Sequence, residues 1–311
     1  MDISYFQHPL RTLRNKYYAD LLRSKWYAKQ VEKNPRRAVN IKWLANHHKL
    51  FPWDNPQTLD EKIAWLQVNS DTTEWSRLAD KYEVRNYVKE KVGEDYLVPC
   101  YGMWNKVQDI DFESLPKQFV IKCTHDCGST IIVKNKYNIN QNEIKERLQQ
   151  HLIKKIGHST FEPHYTKIKH RVMAEQLLPP NQTTGSIIDY KIWCLEGEPY
   201  LWILCYDREI NGHPTVDIYE ANPWHSNRKG LSKQMMNQHF IEIPEPPYVD
   251  EMIDIARTLS KGFHAVRIDL YNINGKIYFG EMTFTGAAGD HYYFSEQLKL
   301  NMGKHIILSK C

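Results

Sequence analysis

At 311 residues the chain is too long for one small module and short for three domains, so one or two domains are expected. Apolar residues make up 41% of it, enough to fill a core, but no stretch approaches the roughly 20 apolar residues of a spanning helix. The net charge of +4 is mild, and no nucleic-acid partner is expected.

The charge is unevenly placed. Residues 1–50 carry eleven Lys/Arg against three acids. Such a leader fits either a solvated helix face or peripheral contact with an anionic membrane surface or a polyanionic glycan. The start, Met1 to Pro9, has no apolar core of signal-peptide length, so no leader peptide is expected. Six cysteines show no zinc-finger spacing, and free thiols in the reducing cytoplasm are the simplest account.

In chain order, residues 10–50 read as helix, with Leu13, Tyr17 and Leu21 at helical spacing and Pro52 as the breaker. Thr58-Leu-Asp-Glu61 is a capping box that opens the next helix. A further helix is expected from near Asp80 to about Val92, stopped by Gly93. Strands follow at 118–123 and 131–133, with the polar turn His125 to Thr130 between them. A helix is expected over 142–156 and a strand over 172–178, ended by Pro179-Pro180.

Residues 187–194 and 199–206 read as a hairpin around Glu196-Gly197. The stretch 208–245 is polar and rich in Asn, Pro and His, and reads as a long loop or lid. A helix over 248–260 and a hairpin of 265–271 with 276–284, turned at Asn274-Gly275, complete the pass. Strands and helices mix without a strict βαβ repeat, which gives an α+β fold class.

The last hairpin carries the chemistry. Val266, Ile268 and Leu270 share one face of the first strand, and Arg267 and Asp269 share the other. A plain two-residue turn pairs Asp269 with Gly280 and sends Glu281 to the wrong side. One bulge pairs Asp269 with Glu281 and Arg267 with Thr283 instead, so that register is expected. Two adjacent carboxylates call for a cation between them, and hard oxygen ligands without His or Cys suit Mg²⁺. Arg267 beside them can hold a phosphate. The plainer alternative is an ordinary hairpin with a salt bridge across it. Lys81, at a helix start, and Lys122, at the end of Phe-Val-Ile-Lys, stand where phosphate binders can be, although no Walker loop is present. Asp109-Ile-Asp111, the triplet of a nucleotide-sugar metal site, reads as a polar loop. His125, His164, His264 and His291 lie near these segments; surface or core roles are the usual outcome, with His164 placed to meet substrate and His264 packed beside the hairpin as the specific possibilities.

The order of these features, from Ala79-Asp-Lys-Tyr-Glu-Val-Arg85 through Val120-Ile-Lys122, Glu162-Pro-His-Tyr, Ala174-Glu-Gln-Leu-Leu178 and Asp189-Tyr-Lys191 to Arg267-x-Asp269 and Glu281-x-Thr283, resembles an ATP-grasp enzyme. The nearer resemblance is to the TupA-like ATP-grasp family of bacterial surface-polysaccharide clusters. It covers roughly residues 55–290 and implies two α+β subdomains clamping ATP, with a helical N-terminal extension. The implied divisions are 1–78, 79–174 and 175–311. It further implies that Lys81, Lys122 and Lys191 meet the phosphates, that Glu175, Gln176, Leu177 and Leu178 face adenine, and that Asp189 lies near the ribose. Asp269 and Glu281 would bind Mg²⁺, while Arg267 and Arg208 would stabilise the transferring phosphoryl group or a substrate carboxylate. Many relatives carry Glu-x-Asn where this chain has Glu281-x-Thr283, and a hydroxyl is the weaker ligand.

The implied activity is ATP-dependent ligation of an amine or amino acid to a carboxylate-bearing sugar or glycan intermediate, through an acyl phosphate, in the cytoplasm or at the inner membrane face. A glycan kinase on the same ATP site, a glycosyltransferase of the same pathway and a non-catalytic binding module are the alternatives.

Overall fold

The computed structural model describes residues 9–180, 185–207, 214–221 and 223–308. The expected N-terminal helix is three: α1 (Pro9–Arg23), α2 (Lys25–Lys33) and α3 (Pro35–His47). The first break is at Ser24, whose hydroxyl caps α2 by accepting from Tyr27 N at 3.1 Å. The second is at Asn34, where the following proline disfavours helical backbone. The breaks let Tyr27, Val31, Val39 and Trp43 close on Phe51 and Phe161 as a separate apolar cluster.

Helix α4 (Leu59–Asn69) opens on the expected capping box: Glu61 N donates to Thr58 Oγ1 at 3.2 Å, and Thr58 N donates to Glu61 Oε2 at 3.0 Å. The helix expected from near Asp80 to about Val92 is α6 (Val84–Lys91); α5 (Thr73–Ala79), which was not expected, precedes it, with Asp80 at the corner between them. Asp80 leaves the helix because its carboxylate accepts from Tyr82 N and Glu83 N and meets Arg171 at 2.7 Å.

Two antiparallel sheets follow. The smaller has the order β1 (Cys100–Trp104), β4 (Val172–Glu175), β2 (Phe119–Cys123), β3 (Ile131–Val133). Helix α7 (Gln141–Leu152) covers it, with Ile144, Leu148 and Leu152 against Phe119 and Ile121. The larger has the order β10 (Lys276–Thr283), β9 (Ala265–Ile273), β5 (Asp189–Leu195), β6 (Glu198–Tyr206), β7 (Thr215–Ala221), β8 (Trp224–Ser226). Glu196 and Gly197 turn β5 into β6, and Asn274 and Gly275 turn β9 into β10, all at positive φ as such turns require. Helix α8 (Val249–Ser260) packs Met252, Ile255 and Leu259 on this sheet, and α9 (Glu296–Lys304) lies against α4.

Strand β7 and strand β8 correct the reading of 208–245 as loop. Asp217, in the middle of β7, is fully buried and pairs with Arg228 at 2.9 Å; burial raises its carboxyl against the pull of Arg228, and its polarity disguised a strand. The residues expected as a strand over 176–178 leave the sheet after Glu175. Among the described residues no helix is long and apolar enough to cross a membrane, and the five described cysteines are unbridged.

His164 is fully buried against Trp75 and Phe284, with no hydrogen-bond partner on either ring nitrogen. Burial, with Lys167 nearby, lowers its pKa to about 3 from an ordinary 6.5. The unfolded chain therefore binds the extra proton between those values, and stability falls as pH drops from 6.5 towards about 3. His164→Phe is expected to flatten the urea-denaturation stability curve in that window by up to about 1.4 kcal/mol per pH unit; an unchanged slope contradicts it. Gly303 sits so close to the segment leading into α4 that a side-chain carbon there would lie 1.9 Å from Gln57 O. Gly303→Ala is expected to lower stability by about 1–3 kcal/mol in the same assay.

Candidate active site

The register of β9 and β10 sets the site. Phe279 pairs Leu270, the register then shifts, and Glu281 pairs Asp269 while Thr283 pairs Arg267. Gly280 is the extra residue of the bulge. It has to be small, because a side-chain carbon there would stand 3.1 Å from Asp269 O and 3.2 Å from the Tyr271 ring. The apolar face stays in the core, and both carboxylates land on the opposite face.

Cations and carboxylates then alternate through the site. Lys81 Nζ stands 3.9 Å from Glu281. Arg267 Nη2 donates to Glu281 and Thr283, each at 3.2 Å. The same guanidinium forks onto Asp269, Nε to Oδ1 at 2.6 Å and Nη2 to Oδ2 at 2.7 Å. Lys191 bonds Asp269 from β5 and lies 3.4 Å from Asp189. Arg267, Asp269, Asp189 and Lys191 are each under a tenth exposed. Glu281 differs, with 37% of its side chain open.

Burial by itself opposes a charge, and oppositely charged neighbours can reverse that. Burial raises the Glu281 carboxyl, but Lys81, Lys191 and Arg267 outweigh it and hold the group well below the usual carboxylate range. Burial lowers Lys191, but Asp189 and Asp269 hold it above the usual lysine value. Tyr271, facing Asp189, is pushed well up, first by that carboxylate and then by burial.

The smaller sheet supplies the other wall. Lys122 on β2 pairs Glu175 on β4. A cleft of roughly 400 Å³ lies between the sheets, bounded by Val120, Lys122, Glu175, Leu178, Asp189 and Tyr271. Gln176 and Leu177 line it too, although Gln176 N–H already donates to Pro99 O at 2.9 Å. Lys81 is steered by its donation to Asp126 O at 2.7 Å. Asp126 in turn holds the turn after β2, accepting from Ser129 Oγ and meeting His151 Nδ1, each at 2.5 Å.

Of the described candidates, Lys122, Glu175, Gln176, Leu177, Leu178 and Asp189 line the cleft, and Lys81, Glu281, Arg267, Asp269 and Lys191 join it through the ion pairs that run to Asp189. Arg208 lies outside the described residues. Asp109 and Asp111 sit exposed in a turn, where Asp111 accepts from Glu113 N and Ser114 N. His164 is core and does not face the cleft, and His264 is partly exposed and paired with Glu196 at 2.9 Å. Glu162 and His291 lay near motif segments, but three contacts carried no signal in the sequence: the Asp60–His291 pair at 2.6 Å, the Glu162–Thr285 bond at 2.5 Å, and Lys42, which donates to Thr160 O at 2.6 Å and Ala288 O at 2.5 Å. A lysine in a helix and an aspartate inside a capping box both look ordinary in sequence.

The donors suit a magnesium–phosphate complex. Among the described residues no group of three His, Cys, Asp or Glu side chains comes together, so no all-protein cage exists. Two carboxylates on adjacent strands with a hydroxyl beside them are what Mg²⁺ takes when phosphates and water complete its shell. Glu281 has open surface for this, whereas both oxygens of Asp269 are engaged by Arg267 and Lys191.

Comparison with known proteins matches residues 61–307 to the family model described as TupA-like ATPgrasp. No curated protein matches. Among solved structures, the D-alanine–D-alanine ligase of Bacillus anthracis complexed with ATP is 12% identical, with 91% of this chain and 93% of that one covered and a TM-score of 0.41. D-cycloserine synthetase DcsG is 10% identical, with 82% and 80% covered and a TM-score of 0.43. The D-alanine–D-alanine ligase of Helicobacter pylori is 15% identical at a TM-score of 0.38; 78% of this chain aligns and spans 62% of that one. The family match takes in both sheets and every described residue of the charge chain, and on it the chain belongs to the TupA-like ATP-grasp family.

Proposed function

We propose that the chain is an ATP-dependent carboxylate–amine ligase that joins an amine or amino acid to the carboxylate of a sugar, a uronic acid, in surface-polysaccharide biosynthesis. The observation that carries it is the alternating charge chain from Lys81 to Asp189, which needs an anionic and a cationic ligand together to be satisfied any other way. A nucleotide in the cleft would set adenine beside Leu178 and ribose near Asp189, with the phosphates towards Lys81, Lys122 and Lys191. Asp269 and Glu281 would hold Mg²⁺, which would neutralise charge at the transferring phosphoryl group. As phosphate oxygens take Lys191 and Arg267, the carboxylates those cations now occupy become available. Arg267 then stands against the γ-phosphoryl as it passes to the carboxylate oxygen of the sugar. The amine attacks the resulting acyl phosphate, phosphate leaves, and the amide remains. The family membership and the basic leader favour an anionic glycan partner. The cytoplasm, where ATP is made available, is the proposed compartment.

Purified protein with MgATP is assayed against a panel of uronic acids with ammonium or amino acids, following free phosphate and amide mass together. Stoichiometric phosphate and amide are expected. Glu281→Gln and Lys122→Ala are each expected to lower kcat/KM about 100-fold or more. Phosphate retained on the sugar, or full activity in both variants, overturns the proposal.

A further inference from the structure

The Asp60–His291 pair has no part in the scheme above, yet it ends beside Arg267. His291 is fully buried, and its Nδ1 lies 2.6 Å from Asp60 Oδ1. The backbone N–H of His291 reaches the same oxygen at 3.3 Å, and Lys299 Nζ stands 3.3 Å from Oδ2. Burial raises Asp60, but the His291 hydrogen bond and Lys299 outweigh it and keep the carboxyl below its usual range. An ionised carboxylate accepts only, so Nδ1 carries a ring proton, and in the neutral ring Nε2 presents a lone pair.

That lone pair is buried and has no hydrogen-bond partner. A buried acceptor left unpaired is costly and calls for an explanation. Its position offers one. A side-chain carbon on Gly286 would fall 3.0 Å from His291 Nε2 and 3.2 Å from Arg267 Nη1. A base and the guanidinium edge not committed to Asp269, Glu281 or Thr283 therefore bracket a single point. The turn that covers it, Gly286–Gly289, holds Ala287 and Ala288 at φ 49° and 57°, a left-handed backbone that alanine adopts reluctantly.

We propose that His291, oriented by Asp60, accepts the proton of the amine partner; this rests on the ligase reading. With the turn displaced, the ammonium form of the acceptor gives one proton to Nε2. The freed nitrogen lone pair forms the C–N bond at the acyl phosphate carbon, the C–O bond breaks with its electron pair leaving on phosphate, and the departing phosphate takes the second proton from nitrogen. The imidazolium so formed faces Asp60 on one side, with Lys299 behind that carboxylate, and Arg267 across Gly286; the Tyr293 ring stands 5.7 Å away.

The test uses the full chain with MgATP, a uronic acid active in the panel above, and either ammonium or hydroxylamine as acceptor. Hydroxylamine is largely unprotonated at neutral pH and needs no base. His291→Gln is expected to lower kcat with ammonium about 100-fold while the KM for MgATP stays within about 2-fold. Hydroxamate formation with hydroxylamine should be rescued to within about 10-fold of the unsubstituted protein. Asp60→Asn offers an N–H to Nδ1, turns the ring to the Nε2–H tautomer, and should show the same acceptor-selective loss without removing the ring. Equal losses with both acceptors, or no loss with ammonium, overturn the base assignment while leaving the ligase reading intact. No amide or hydroxamate from any uronic acid overturns the ligase reading and the base assignment with it.

Discussion

The fork of Arg267 on Asp269 is the interaction on which the site depends. Both groups are buried on one strand, and each would be severely disfavoured alone. Their pairing lets β9 carry two opposite charges into the interior of a sheet whose other face is Val266, Ile268 and Leu270. Every further charge is added in alternation, so burial is compensated step by step along Lys81, Glu281, Arg267, Asp269, Lys191 and Asp189. The chain crosses β10, β9 and β5 and reaches the corner between α5 and α6. It therefore ties the large sheet to the segment that leads into the smaller one. Deleting one member would leave its neighbour as a buried charge without a counterion, which is why such a network acts as a unit.

What was legible in the sequence was local or alternating. The bulged register followed from asking which faces had to be apolar, and Gly280 supplies the bulge. The Thr58–Glu61 box and the turns at Glu196-Gly197 and Asn274-Gly275 are written within four residues. The misses have physical causes of the opposite kind. Strand β7 hides because Asp217 is buried with Arg228 eleven positions away. Helix breaks at Ser24 and Asn34 are settled by packing against Phe161 as much as by local chemistry. The Asp60–His291 pair joins residues 231 positions apart, and no pattern within either segment announces it.

The histidines make the same point from another direction. His125 stacks on His170 at 3.6 Å, and burial, with that neighbour, lowers its pKa to about 4, so it stays neutral in the turn after Lys122. His164, His125 and His291 are all fully buried, yet only His291 has a carboxylate on one nitrogen and an arginine beyond the other. Position in sequence near a motif did not separate these three; the partners did.

Lys42 gives the helical leader a meaning. It belongs to α3, before the span that the family model matches, and it grips the carbonyls of Thr160 and Ala288. Burial lowers its pKa, with Glu162, Asp290 and Asp60 pulling the other way. The strained turn beside Arg267 is thus tethered from outside the recognised segment. The segment that the family model matches and the tether of its turn are therefore separate stretches of sequence. A recombinant that kept residues 61–307 and exchanged the leader would retain every described residue of the charge chain and acquire a differently moored turn.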